Sequence, residues 1–239
     1  MSAADFFNSA RAYKRELTGN PLDTLSQEDV DAINAATAAR WQPAENENAA
    51  KAVGQPQAFF GAVRAFTGDL AQSQIDGFSA LLTAIGAARW PCSWCAYGLA
   101  TAYWETNKTL QPVKEAYWLS ESWRKEHLHY YPWYGRGYVQ LTWQRNYERA
   151  DEELDLGGQL SLDPDFALKP DIAARILVAG MEQGWFTTKK LADYLPSDGA
   201  GGFDAFKGAR RIINRQDRAS EIAKIAVKFQ DALAAGDWA

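Results

Sequence analysis

Apolar positions recur at helical spacing along most of the chain. Over residues 92–105, Cys95, Gly98, Leu99 and Ala102 occupy the i, i+3, i+4 and i+7 positions of one face, and Glu105 closes that face. Pro170 opens a second pattern, in which Ile172, Ile176 and Met181 form an apolar stripe through 171–185. A third runs over 219–234 through Ile222, Ile225, Phe229 and Leu233. Only Tyr138-Val139-Gln140-Leu141-Thr142-Trp143 reads as a strand, and it is short. The pattern predicts a mainly α protein with one small β element.

A repeat lies upstream. Phe6-Phe7-Asn8-Ser9-Ala10-Arg11-Ala12 returns as Phe59-Phe60-Gly61-Ala62-Val63-Arg64-Ala65, and Leu25-Ser26-Gln27-Glu28-Asp29-Val30-Asp31 returns as Leu70-Ala71-Gln72-Ser73-Gln74-Ile75-Asp76. Each copy reads as two short amphipathic helices, with Ser26 in the place of an N-cap. The polar stretch 42–57, which holds Pro43 and Pro56, reads as a linker. The expected organisation is a small helical segment with its linker over 1–52, followed by a larger domain over 53–239.

Composition narrows the classes. The chain has 239 residues, 47% hydrophobic and 23% charged, as a globular protein does. Its net charge of −5 disfavours a nucleic-acid coat. The charge is uneven, though: residues 1–50 hold 4 basic and 8 acidic side chains, and residues 203–230 hold 7 basic and 3 acidic. The basic stretch around Arg210, Arg211, Arg215 and Arg218 suits an anionic polymer or a solvated helix face. The N-terminus carries charges where a signal peptide needs its apolar core, and no stretch approaches the roughly 18 apolar residues of a membrane span. A soluble protein with no signal peptide is expected. Two cysteines, Cys92 and Cys95, make no disulfide framework and read as structural thiols. His127 and His129 read as surface residues, so no metal site is expected.

Candidate chemistry centres on carboxylates and rings. Glu105 ends a helix whose face is small and apolar, a setting that suits a general acid; it equally suits a helix-end glutamate paired with a cation. Glu115 follows across the Pro112 loop, and two carboxylates facing over a groove are what glycoside hydrolysis needs. Among 30 acidic residues such pairs also arise by chance. Residues 117–147 contain 10 of the chain's 20 Trp and Tyr residues, which fits sugar-binding rings or an aromatic core. In Tyr134-Gly135-Arg136-Gly137-Tyr138-Val139-Gln140-Leu141-Thr142 the glycines permit a tight turn, and Gln140 and Thr142 would share a strand face. The third glycine of a dinucleotide loop is missing.

Together these segments resemble glycoside hydrolase family 19, in particular its phage and prophage endolysin branch. The match runs from about Gln57 to the C-terminus. It rests on Ala100-Thr101-Ala102-Tyr103-Trp104-Glu105-Thr106, on Gln111-Pro112-Val113-Lys114-Glu115-Ala116-Tyr117-Trp118, on Tyr134 to Trp143 with Asn146-Tyr147, and on Gly208-Ala209-Arg210-Arg211-Ile212-Ile213-Asn214. The resemblance implies a two-lobed, lysozyme-like, mainly α fold with a substrate cleft, and an inverting mechanism without cofactor. Glu105 would be the acid, Glu115 the base and Thr142 a holder of the attacking water, with Glu121 and Glu126 as alternative bases. Gln140, Asn146, Trp143 and Asn214 would bind sugar, and Tyr134 and Arg136 would shape the floor. The family's usual His-Glu-Thr is here Trp104-Glu105-Thr106, which implies a modified groove or pH profile.

The expected function is therefore that of an endolysin cutting peptidoglycan glycan strands. It would be a monomer, held in the host cytoplasm until a holin gives it access to the periplasmic wall, with no membrane insertion and no nucleic-acid partner. The alternatives are a chitinase and a catalytically inactive wall-binding accessory.

Overall fold

The computed structural model describes residues 50–239 except Arg215, together with Ala12, Lys14, Arg15, Glu16, Thr18, Asn20, Ser26 and Asp29. The chain divides into two units, Met1–Ala49 and Ala50–Ala239.

In the first unit, Ser26 caps as its sequence predicts. Its Oγ accepts from the Asp29 backbone N–H at 3.1 Å, and its own N–H donates to the Asp29 carboxylate at 2.7 Å. Lys14 pairs with the same carboxylate. The hydrogen bonds from Lys14 and Ser26 hold the Asp29 carboxyl down at about 2. Apart from Ala12, which is helical, the other residues of the two repeated pieces of the first copy lie outside the described residues.

The second copy is described in full. Its first helix, Pro56–Thr67, starts on a proline that needs no donor there, buries Phe59 and Val63, and stops at Gly68 with φ of 80°. Its second, Gln72–Ala87, opens with the Gln74 side chain accepting from the Ala71 N–H at 2.9 Å. Ala71 and Gln74 stand where Ser26 and Asp29 stand in the first copy, so one half of the capping box persists; Ala71 has no oxygen to return the other half.

Gln72–Ala87 is also where neighbouring backbone comes close. A Cβ on Gly77 would lie 2.0 Å from the Leu110 carbonyl oxygen, and one on Gly86 would lie 2.0 Å from that of Lys51. Residues 51–55, read above as the end of a linker, instead pair with the last residues of the chain. Ala52 donates to the Ala239 carbonyl at 2.8 Å, Gly54 to Asp237 at 3.0 Å and Gln55 to Gly236 at 2.8 Å. With the Lys51 N–H donating to the Gly86 carbonyl at 2.9 Å, these bonds tie residues 51–55 into the second unit, which begins at Ala50.

The helix Cys92–Glu105 is the centre of the core. Every residue from Cys95 to Tyr103 is buried, so it is covered all round rather than on one face. Ala219–Ala235 packs along it, on Pro56–Thr67 and on Phe203–Ala209, while Pro170–Gln183 packs on Gln72–Ala87 and on the 3₁₀ turn Pro164–Leu168. Phe59, Phe60, Phe66, Phe78, Phe229 and Tyr103 join these helices through edge-to-face contacts with centroids 5.1–5.8 Å apart. Cys92 and Cys95, at the first and fourth positions of the central helix, are free thiols that burial pushes upward.

The β element departs from expectation. It is an antiparallel pair of two-residue strands, Val113–Lys114 and Arg136–Gly137. Residues 138–140 form a turn instead of extending the strand, because Gly137 (φ 85°) and Gln140 (φ 55°) take left-handed backbone. Leu141 then bonds back to Arg136 in both directions, at 3.1 and 2.9 Å. Gln140 and Thr142 therefore do not share a strand face. The architecture is mainly α with this one small sheet among the described residues.

Candidate active site

The site follows from where the central helix ends. Glu105 is its last residue, and the chain then turns through Thr106, whose hydroxyl donates to the Ala102 carbonyl at 2.8 Å and accepts from the Leu110 N–H at 2.9 Å. That turn places Glu105 at the mouth of a groove of about 260 Å³. Glu115, on the loop after the first strand, lines the same groove with Trp104, Asn107, Gln140 and the segment from Val113 to Trp118. Tyr117 and Trp118 are 50% and 72% exposed, with their rings edge to face at 5.2 Å.

Each carboxylate is held differently. Glu105 Oε1 accepts from Arg210 Nη1 at 2.6 Å, with the Arg210 side chain 3% exposed and that of Glu105 18%. Both readings of Glu105 thus coexist: it is paired with a cation and it lines the groove. Glu115 Oε1 accepts from the Tyr130 hydroxyl at 2.7 Å, and Oε2 accepts from the Gly135 N–H at 2.9 Å. Its backbone is fixed too. The Glu115 N–H donates to the Gly135 carbonyl at 2.7 Å, while buried Arg124 donates to the carbonyls of Glu115 and Ala116, both at 2.8 Å.

The alternative bases fare less well. The Glu121 carboxylate accepts from the Tyr134 hydroxyl at 3.0 Å and from Arg124 at 3.1 Å, and neither Glu121 nor Glu126 lines the groove.

Of the other expected site residues, only Gln140 lines the groove. Its amide donates to the Val113 carbonyl at 3.2 Å and its oxygen lies over Gly135, where a Cβ would come within 2.7 Å. Thr142 donates to the Gln140 carbonyl at 2.8 Å, and Asn146 donates to the Thr142 carbonyl at 2.7 Å. Tyr134 and Arg136 are buried beneath: the Arg136 guanidinium lies 3.7 Å from the Tyr134 ring centroid and bonds Asp165, Tyr147 and two carbonyls. Trp143, 44% exposed, packs on Tyr130 at 5.0 Å and borders a separate depression with Gln144 and Arg145. Asn214 is exposed, its N–H donating to the Arg210 carbonyl at 3.0 Å.

The basic stretch splits. Arg210 is buried against Glu105, Arg218 pairs with Glu221 at 3.3 Å, and Arg211 is exposed. Sequence reasoning missed Arg210, Tyr130 and Arg124 as holders of the two carboxylates. The signal for Arg210 was a charge set between Ala209 and Ile212, both buried.

A larger hollow of about 670 Å³ between Gln72–Ala87 and the start of Pro170–Gln183 is mostly apolar and contains none of the expected site residues. Among the described residues no cluster of three or more His, Cys, Asp and Glu is arranged to hold a metal ion, and no helix is long and apolar enough to cross a membrane.

No protein-family model and no curated protein matches the chain. Among solved structures it is similar to chitinase C from Streptomyces griseus HUT6037, with a TM-score of 0.50 and 18% identity, over 76% of this chain and 77% of that one. That likeness is one of fold: the chain has a mainly α, chitinase-like fold.

Proposed function

We propose that this chain is a glycoside hydrolase that cleaves the glycan strands of bacterial peptidoglycan with inversion at the anomeric carbon. The observation that carries the reading is the groove itself, where Glu105 and Glu115, from separate segments, face one space rimmed by exposed rings. Glu105 donates a proton to the glycosidic oxygen through Oε2, since Arg210 occupies Oε1. The Arg210 charge then stabilises the carboxylate left behind. Glu115 takes a proton from a water that attacks the opposite face of the sugar, each of its oxygens keeping a lone pair beyond the one already used. Thr142, which does not line the groove, donates to the carbonyl of groove-lining Gln140 and so supports the wall beside that water. The rings of Tyr117 and Trp118 offer apolar area to sugar faces. The enzyme acts as a monomer without cofactor, reaching the periplasmic wall from the host cytoplasm through a holin pore.

A second reading, favoured by the likeness to chitinase C, keeps this chemistry and changes the polymer to chitin. Mass spectrometry of soluble products from purified Gram-negative sacculi, with chitin hexamer in parallel, separates the two. Disaccharide-peptides with a reducing muramic acid end, absent in Glu105→Gln and Glu115→Gln, are expected. Turnover of chitin alone moves the assignment to the second reading. No product from either polymer overturns both.

A further inference from the structure

We infer that Tyr130 is a positioning residue for Glu115, holding its carboxylate in the orientation in which it acts; the inference rests on the reading of Glu115 as the base. A glutamate on a loop has three side-chain torsions to lose, and an exposed one samples many rotamers. Glu115 is fixed instead by donors from two different segments, with the Tyr130 hydroxyl on Oε1 at 2.7 Å and the Gly135 N–H on Oε2 at 2.9 Å. The Gly135 donor is a backbone N–H beside the strand pair, so it does not depend on the side chain at 130. The Tyr130 bond depends on one side chain.

Tyr130 is itself held. Its ring packs on Trp143 at 5.0 Å and on His129 at 4.7 Å, so the hydroxyl is presented from a braced ring. Burial, and then the carboxylate that accepts its bond, push the phenol up to about 12. The hydroxyl therefore remains a donor through the range in which a hydrolase works. A donor fixed before substrate arrives needs no reorganisation during the reaction. The device is also economical, because one bond per oxygen aligns the carboxylate and leaves acceptor capacity on both oxygens for a water.

The test is Tyr130→Phe, which keeps the ring and removes the one oxygen, measured on purified sacculi and on chitin hexamer beside Glu115→Gln. The expected result is a fall in kcat of about tenfold, with KM changed by less than about twofold and the melting temperature nearly unchanged. Wild-type kcat in Tyr130→Phe alongside an inert Glu115→Gln overturns the inference and leaves the base assignment standing. Full activity in Glu115→Gln overturns the base assignment, and the inference with it. Glu115→Asp supplies a second, discriminating background, since its shortened carboxylate no longer meets the hydroxyl; should Tyr130→Phe prove unstable, Tyr130→Leu, which also lacks the donor, replaces it in both backgrounds. A positioning role predicts that Tyr130→Phe slows Glu115→Asp no further; an equal slowing in both backgrounds marks a purely structural tyrosine and overturns the inference.

Discussion

Arg210 and Glu105 meet at 2.6 Å although 105 residues separate them, and the same guanidinium also donates to the Asp217 carbonyl at 2.9 Å. The end of the central helix is thereby tied to the segment before Ala219–Ala235. This relationship makes Glu105 structural as well as chemical. Replacing it with glutamine leaves a buried guanidinium without its counter-charge, for which a loss of about 2–3 kcal/mol is expected, less than for a fully enclosed pair because Glu105 is partly exposed. Urea unfolding of Glu105→Gln checks this; an unchanged midpoint would mean that Arg210 is satisfied by carbonyls alone. The same variant is expected to lose at least about a hundredfold in turnover, as removal of a general acid does.

Asp165 gathers Lys114 at 2.6 Å and Arg136 at 2.7 Å. Burial works to raise its carboxyl, but the hydrogen bonds from Lys114 and Arg136 outweigh this and hold it below its ordinary 3.8. A carboxyl lowered in the folded state confers stability that is complete above 3.8 and disappears as pH falls through the lower folded value. Stability should therefore drop on acidification below about pH 4, and Asp165→Asn should flatten that drop while lowering stability at pH 7. Chemical unfolding of both proteins at pH 3 and pH 7 compares the slopes; parallel curves would remove Asp165 from the account.

Glu182 carries the opposite sign. Its carboxylate accepts from the Trp90 indole N–H at 2.7 Å, and burial raises its pKa more than that bond lowers it. A carboxyl raised in the folded state lowers stability as pH climbs from the unfolded value toward the folded one. Glutamine keeps an acceptor for Trp90 without a charge to bury. Glu182→Gln is expected to melt higher than the wild type at pH 7 and alongside it near pH 4, by calorimetry at both values. A lower melting temperature at pH 7 would show that the charge strengthens the Trp90 bond by more than its burial opposes.

What the sequence made legible was local. The apolar stripes of 92–105, 171–185 and 219–234 became Cys92–Glu105, Pro170–Gln183 and Ala219–Ala235, and the middle one stops early because Gly184 turns left-handed at φ 73°. Ser26 showed its cap because capping depends on residues three apart. The strand at 138–143 misled because two residues carry no periodicity, and the left-handed backbone at Gln140 has no glycine to announce it. In the site, Glu105 and Glu115 stood out by residue type and resemblance, and both line the groove. Arg210 and Tyr130 stayed hidden because what defines them is a distance across the fold. The charge of Arg210 reads as solvated until the fold brings Glu105 and the Asp217 carbonyl to it.

Trp118 presents 72% of its surface at the rim beside Glu115. An indole so placed emits as one bathed in water, and a sugar ring laid over it would shift that emission toward the blue. Among the described residues most of the other tryptophans are at least partly covered already, and all but Trp104, which shares the groove, would contribute a steadier background. The groove thus carries its own optical reporter: occupancy is readable from the native protein without a dye, and Trp118→Phe supplies the blank.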